Sequence, residues 1–297
     1  MLLPSLITLR HPASHALSPE DIFESSLGGV FVNDLQNQHG DDPNTVIVYR
    51  PSNKQYKELE FRTADVNGEE QRRKFAHYLW NAGILVAELV AGREALVGGD
   101  DEIKKDAEVS WGNDEGWKNG EWWTDNEEEK EWSIKGEKVT ITDYPAQPIL
   151  ETITANVSEN LPLELRATTA VHGHQWGDFS SEFADAHAHR YTRILAADCL
   201  WMPYEHENLA RSMLYFLSES PEARVYVIAG FHTGRAKLAP FFEEVVPEAG
   251  LEIEDIYEMN AEGKRRAWSK ERDGGREDVG ERKKWLVLAR LRRAAQP

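Results

Sequence analysis

The sequence predicts an α/β protein built on an open, mostly parallel sheet. Two observations carry this. Short apolar or β-branched runs alternate with amphipathic stretches at helical spacing, the pattern of strand–helix–strand units. One run, R-I-L-A-A at Arg193–Ala197, is apolar throughout after its first residue, as a parallel strand buried on both faces is.

The elements follow in order. Residues 75–90 place Phe75, Leu79, Ala82, Leu85, Val86 and Leu89 on one helical face. Residues 137–142 (E-K-V-T-I-T) form a short strand, and Asp143-Tyr144-Pro145 turns the chain. A helix over 148–160 starts near a proline. Strands are expected at 166–171, 193–197, 225–230 and 251–258, with helices at 208–218 and 237–246. Residues 284–290 (K-W-L-V-L-A-R) form the last strand, and the charged stretch 262–284 before it reads as a solvated loop.

Composition excludes several classes. The 297 residues include 52 acidic and 34 basic ones, a net charge of −18. A general nucleic-acid surface needs the opposite sign, as does docking on an anionic membrane. The single cysteine, Cys199, rules out an intramolecular disulfide scaffold and a multi-thiolate zinc site. No apolar run reaches the ~20 residues of a membrane helix. The N-terminal 17 residues lack the continuous apolar centre of a secretory signal, so a soluble cytoplasmic protein is expected.

Residues 92–132 stand apart. They hold fourteen acids against five bases, a net charge of −9, and five of the ten tryptophans, with few aliphatic residues. A stretch of this composition buries too little apolar surface to offset its ordering entropy and reads as a mobile insertion. The chain therefore divides into an N-terminal extension and leading helix (1–91), an acidic Trp-rich insertion (92–132) and an α/β domain (133–297).

In an open α/β sheet, ligands bind beyond the C-terminal ends of the strands. The residues there are Asp143 and Tyr144, His172 to Trp176, Asp198 to Trp201, and Phe231 with His232. Asp143 has two uses: a carboxylate for both hydroxyls of a ribose, or a cap for the helix after Pro145. Trp176 either packs against a flat adenine or joins the core. Asp198 either orients an amine or caps the next helix. The H-x-H pairs His172/His174 and His187/His189 have metal-ligand spacing, but no completing acid or third histidine follows, and no metal is expected. Cys199 lies in an apolar context without an activating base. Neither a phosphate-binding P-loop nor a G-x-S-x-G elbow is present.

Five segments occur in a telling order: L-W-N-A-G (Leu79 to Gly83), T-D-Y-P (Thr142 to Pro145), W-G-D (Trp176 to Asp178), A-A-D-C-L-W-M (Ala196 to Met202) and A-G-F-H-T-G-R (Ala229 to Arg235). Together with the early P-E-D-I-F-E-S-S-L-G (Pro19 to Gly28), they resemble the seven-strand S-adenosylmethionine-dependent methyltransferases of the lysine methyltransferase 16 group. Within it they resemble the subgroup called nicotinamide N-methyltransferase-like, or elongation factor 1-alpha N-terminal and lysine methyltransferases. The resemblance implies a Rossmann-like seven-strand sheet, mostly parallel with an antiparallel last strand. It implies S-adenosylmethionine as cofactor and an amine acceptor on a protein such as a translation elongation factor, or a nicotinamide-like molecule. Trp80, Asp143, Tyr144, Trp176 and Ala197 would contact the donor, Asp143 through the ribose hydroxyls and Trp176 through the adenine. Asp198 and Trp201 match the family's D-x-x-Y element, with Trp in place of Tyr, and would shape the site for the amine.

The chain departs from the family at one place. The family's first strand ends in a glycine-rich loop that cradles the methionine end of the donor. Here W-S-I-K-G-E-K-V (Trp132 to Val139) runs straight into T-I-T-D-Y-P. The first strand, the loop and a helix are missing, about 25 residues by ordinary element lengths. Weakened donor binding follows, because only glycine tolerates such close backbone approach. Two other classes compete: a non-catalytic protein presenting its acidic insertion to a basic partner, and a metal-dependent hydrolase resting only on the paired histidines.

Deleting residues 92–132 is expected to leave the thermal melting of the rest unchanged. A fall of many degrees would show that the five tryptophans pack into a core.

Overall fold

The computed structural model describes residues 3–12, 35, 38–39, 44–64, 78–91 and 138–295. The 92–132 insertion lies outside them. The chain divides into two compact units. The first takes Met1–Val30, Gln38–Leu79 and Ala87–Gly173; the second takes Phe31–Asn37, Trp80–Val86 and His174–Pro297.

The first unit holds two small sheets. Strands β1 (Ile7–Arg10), β2 (Val46–Tyr49) and β3 (Leu59–Phe61) form an antiparallel sheet with β2 in the middle. All four residues of β2, V-I-V-Y, are buried, as a β-branched central strand should be. This sheet is absent from the sequence reading, which treated the region as an extension. Helix α1 (Asn81–Val90) gives its last turn to the unit. There the buried Glu88 accepts hydrogen bonds from the Tyr49 hydroxyl at 2.5 Å and the Ser52 backbone at 3.0 Å. The helix starts later than its periodicity predicts. Leu79 and Trp80 are extended, and Asn81, a residue type that favours helix starts, opens the first turn.

Strand β4 (Val139–Asp143) pairs in parallel with β5 (Thr169–Gly173), with Asp143 opposite Gly173. Helix α2 (Gln147–Asn160) connects them, with Pro148 in its first turn. Asn160 and Asn156 clamp it to β3 and the residue after it through both backbone groups of Glu60 and of Arg62. The strand expected at 166–171 begins only at Thr169. Pro162 starts a helical turn over Leu163–Arg166 first, because its fixed φ suits a helix N-terminus.

The second unit is a five-stranded sheet flanked by helices. Helix α3 (Glu182–His187) leads to β6 (Arg193–Ala197); α4 (His206–Phe216) leads to β7 (Arg224–Gly230). Helix α5 (Arg235–Pro240) continues through a π-helical turn at Phe241–Val245, where Pro240 supplies no N–H to the ladder. Strands β8 (Leu251–Asn260) and β9 (Arg265–Ala267), helix α6 (Val279–Arg282) and strand β10 (Trp285–Arg293) complete it. The spatial order is β9-β8-β10-β7-β6. Only β6 and β7 run parallel; β10 is antiparallel to both neighbours, and β9 is antiparallel to β8. The sheets are thus mixed rather than mostly parallel. β6 also departs from the expectation of burial on both faces. Ala196 joins the core with Ile194 packed against it, but Leu195 on the other face is 44% exposed. Among the described residues β6 has one neighbour only, so its apolar run sits on an edge.

The 262–284 stretch is not a solvated loop. It contributes β9 and α6, and it carries charges into the interior. Glu258 on β8 is fully buried and receives Arg235 at 2.7 and 3.1 Å, Arg266 at 2.8 Å and Arg272 at 3.0 Å. Glu277 takes the other edge of Arg235 through two bonds of 2.8 Å. The guanidinium groups lie over rings, Arg235 on Phe231 at 4.3 Å and Arg266 on Trp285 at 3.9 Å. Three of its charged residues, Arg266, Arg272 and Glu277, are neutralised in this network, while others such as Glu262, Lys264, Lys270 and Arg276 stay exposed.

Glu258→Ala leaves Arg235 buried beside an empty carboxylate position. Denaturant unfolding should show a loss of about 3–5 kcal/mol, the usual cost of removing one partner from a buried pair; a loss below ~1 kcal/mol would show the network to be dispensable.

Candidate functional site

The C-terminal ends of β6 and β7 build the clearest cluster. Their parallel register sets Ala197 opposite Ile228. The next residue, Asp198, adopts a left-handed φ of +56° while its N–H donates to the Ile228 carbonyl at 2.7 Å. Asp tolerates this conformation better than most residues, but it is strained, and such strain gathers at functional positions. It aims the carboxylate across to β7. Oδ1 accepts the Gly230 backbone N–H at 2.9 Å, and Oδ2 meets His232 Nε2 at 2.8 Å. The Asp198 side chain is 8% exposed and that of His232 19%. Trp80 packs edge-on against the imidazole with centroids 4.8 Å apart. A Cβ on Gly230 would stand 2.7 Å from His232 Nε2, so glycine there lets the ring lie against the strand end.

The structure therefore joins two residues that the sequence singled out, Trp80 and Asp198, through a third that it flagged only by position. His232 lies in the A-G-F-H-T-G-R segment, but nothing in the sequence names its partner. Ala197 is exposed and Trp201 half-buried. The Cys199 thiol donates weakly to the Ala197 carbonyl at 3.4 Å.

In the first unit, Asp143 ends β4 as expected. Its Oδ1 accepts the Tyr144 backbone N–H at 2.6 Å. Burial pushes the carboxyl above its ordinary value, and that N–H opposes the shift. A carboxylate held this way has acceptor capacity left over. The alternative of capping the following helix is not taken: that helix has no side-chain cap. Gly173 stands opposite, and a Cβ there would come within 2.8 Å of Pro145, so the turn after Asp143 needs this glycine. Tyr144 packs with Ala64, Ala146 and Ile149.

Trp176 follows β5 and packs against the core of the second unit. The paired histidines are used separately. His174 meets Ser212 at 3.2 Å, His187 donates to the Phe183 carbonyl at 2.8 Å, and His189 lies 2.8 Å from Arg293. Among the described residues no group of three or more His, Cys, Asp or Glu is placed to hold a metal ion.

No protein-family model matches the chain. A sequence of Gibberella zeae named protein N-terminal and lysine N-methyltransferase EFM7 is 25% identical over 196 residues, which is 62% of this chain and 68% of that protein. The chain is similar to protein N-terminal and lysine N-methyltransferases. A second, of the same name, from Schizosaccharomyces pombe is 25% identical over 227 residues, covering 71% of this chain and 81% of that protein. Among solved structures, a 1,6-didemethyltoxoflavin-N1-methyltransferase from Burkholderia thailandensis aligns over 87% of this chain with 10% identity and a TM-score of 0.30.

Asp143→Asn keeps the acceptor for the Tyr144 N–H and removes a charge whose burial is unfavourable. The folded-state pKa of Asp143 is raised, so the proton is held more tightly in the folded state, and the group's contribution to stability is lost as pH rises through that raised value. The variant should melt higher than the wild type at pH 7, with the gap closing by pH 4. A variant that melts lower at pH 7 would contradict this.

Proposed function

We propose that this chain is an S-adenosylmethionine-dependent N-methyltransferase acting on the amine of a protein lysine or N-terminus. The similarity to proteins named for that activity supports the reaction class. The single observation that carries the site is the Asp143 carboxylate. It is half-buried, it has one backbone N–H on Oδ1, and it ends a parallel strand, where two ribose hydroxyls would complete its hydrogen bonding. Trp80, Tyr144, Trp176 and Ala197 are proposed to contribute further contacts to the donor, and Asp198 with Trp201 to receive the amine. When bound, the donor supplies an electrophilic methyl group on a sulfonium. The protein's own work is to hold and orient the two reactants and to leave the amine neutral. A net charge of −18 favours basic partners, which suits a lysine-bearing protein such as a translation elongation factor in the cytoplasm better than a small nicotinamide-like acceptor.

The fold is proposed to be the seven-strand type without its first strand and glycine-rich loop. The unpaired outer edge of β6 among the described residues supports this, since loss of a neighbouring strand leaves such an edge. The same observation favours the second reading, a non-catalytic interaction protein that keeps the fold.

Calorimetric titration separates the two. With the nucleoside end held by Asp143 and no glycine cradle for the methionine end, S-adenosylhomocysteine should bind no more than about tenfold tighter than 5′-methylthioadenosine, ~1.4 kcal/mol. Asp143→Ala should abolish both. Absence of binding by either ligand to a folded chain would favour the interaction protein. Micromolar S-adenosylhomocysteine binding, far above methylthioadenosine, would show that another segment replaces the loop.

A further inference from the structure

We propose that His232 is the proton acceptor for the incoming amine, and that Asp198 is the positioning residue that fixes its tautomer. The inference rests on the methyltransferase reading for its biological meaning, but its geometry stands by itself.

Four observations point to it. His232 Nε2 lies 2.8 Å from Asp198 Oδ2. Asp198 is fixed independently of the histidine, because its own N–H and its Oδ1 are tied to the β7 backbone at Ile228 and Gly230. Its carboxylate can only accept, so Nε2 carries the hydrogen and Nδ1 keeps a lone pair. The imidazole is 19% exposed, enough to be reached and too little to turn freely, with Trp80 against one side and Gly230 beneath it. A clasp that only joined two strand ends would need neither the glycine nor the indole.

Among the described residues the ionisable surroundings are simple. From β6 come Asp198 and the Cys199 thiol, which is turned to the Ala197 carbonyl. From α5 comes Arg235, whose guanidinium is directed to Glu258 and Glu277. Arg282 lies near Gly234 in the following turn. Among the described residues, the groups recorded closest to the imidazole are thus one carboxylate and one indole. An alkylammonium is drawn to that combination by charge and by the ring face.

The step is a proton transfer. A lysine ammonium (ordinary pKa about 10.4) reaches Nδ1, its N–H bond breaks, the electron pair stays on the amine nitrogen, and Nδ1 takes the proton. The resulting imidazolium is balanced by the Asp198 carboxylate and returns its proton to water. The amine is then neutral, as a nucleophile must be.

The test uses the full chain and the probe Nα-acetyl-lysine methylamide, with binding followed through the His232 Cε1–H resonance, which is assigned by its loss in His232→Gln. In the wild type the probe should shift that resonance, and His232→Gln should weaken probe binding by about tenfold. Asp198→Asn should abolish the probe-induced shift of the Cε1–H resonance, and Gly230→Ala, which pushes the ring off the carboxylate, should weaken the probe in the same way. Melting curves confirm that each variant is folded. Unchanged affinity in His232→Gln, read from the other probe-sensitive resonances, would overturn the proposal, as would a wild-type resonance that ignores saturating probe. Failure of the methyltransferase reading is seen elsewhere, in the nucleoside titrations.

Discussion

The arrangement at the candidate amine site depends on one parallel register, Ala197 opposite Ile228. It places the first residue after β6 beside the last turnings of β7. The Asp198 backbone then bonds Ile228, and the left-handed bend throws its carboxylate toward Gly230 and His232. A one-residue slip would turn every side chain of β6 to the other face and leave His232 without its partner. The register is guarded from one side only. β7 is locked between β6 and β10 by a run of buried Val, Ile and Ala residues, whereas the other side of β6 carries no described neighbour.

β7 is backed by a long, well-paired neighbour. β10 pairs with β7 and β8 along nearly its whole length, and its Trp285, Val287, Ala289 and Leu291 enter the core. The Arg235–Glu258–Glu277 network ties the start of α5 to β8 and to the segment before α6. Arg235 lies three residues beyond His232, so the network that neutralises the buried charges also fixes the turn carrying the imidazole.

Much of this was legible from residue patterns. R-I-L-A-A, V-Y-V-I-A-G and K-W-L-V-L-A-R announced strands because their apolar runs are short and bounded, and each is a strand within a few residues. Asp143 and Asp198 were legible as strand-end carboxylates. What was not legible has physical causes. The β1–β2–β3 sheet rests on long-range pairing between three- and four-residue runs, too short for periodicity to register. The 262–284 stretch looked solvated because sequence shows charges but not their partners; Arg266, Arg272 and Glu277 are neutralised by contacts that only the fold creates. His232 had no visible role because its partner is 34 residues away along the chain. The solvent exposure of Leu195 was hidden for the converse reason: an apolar strand reads the same at the centre of a sheet and at its edge.

The central claim is that the Asp198 cluster serves an amine that receives a methyl group. The most direct measurement is transfer of tritium from methyl-labelled S-adenosylmethionine to synthetic peptides carrying either one lysine or one free N-terminus, using the full chain. The account predicts acid-stable label on the amine, lost in Asp198→Ala while the protein stays folded. No transfer to either peptide, or to a lysine-rich protein, at any pH from 7 to 9 would contradict it.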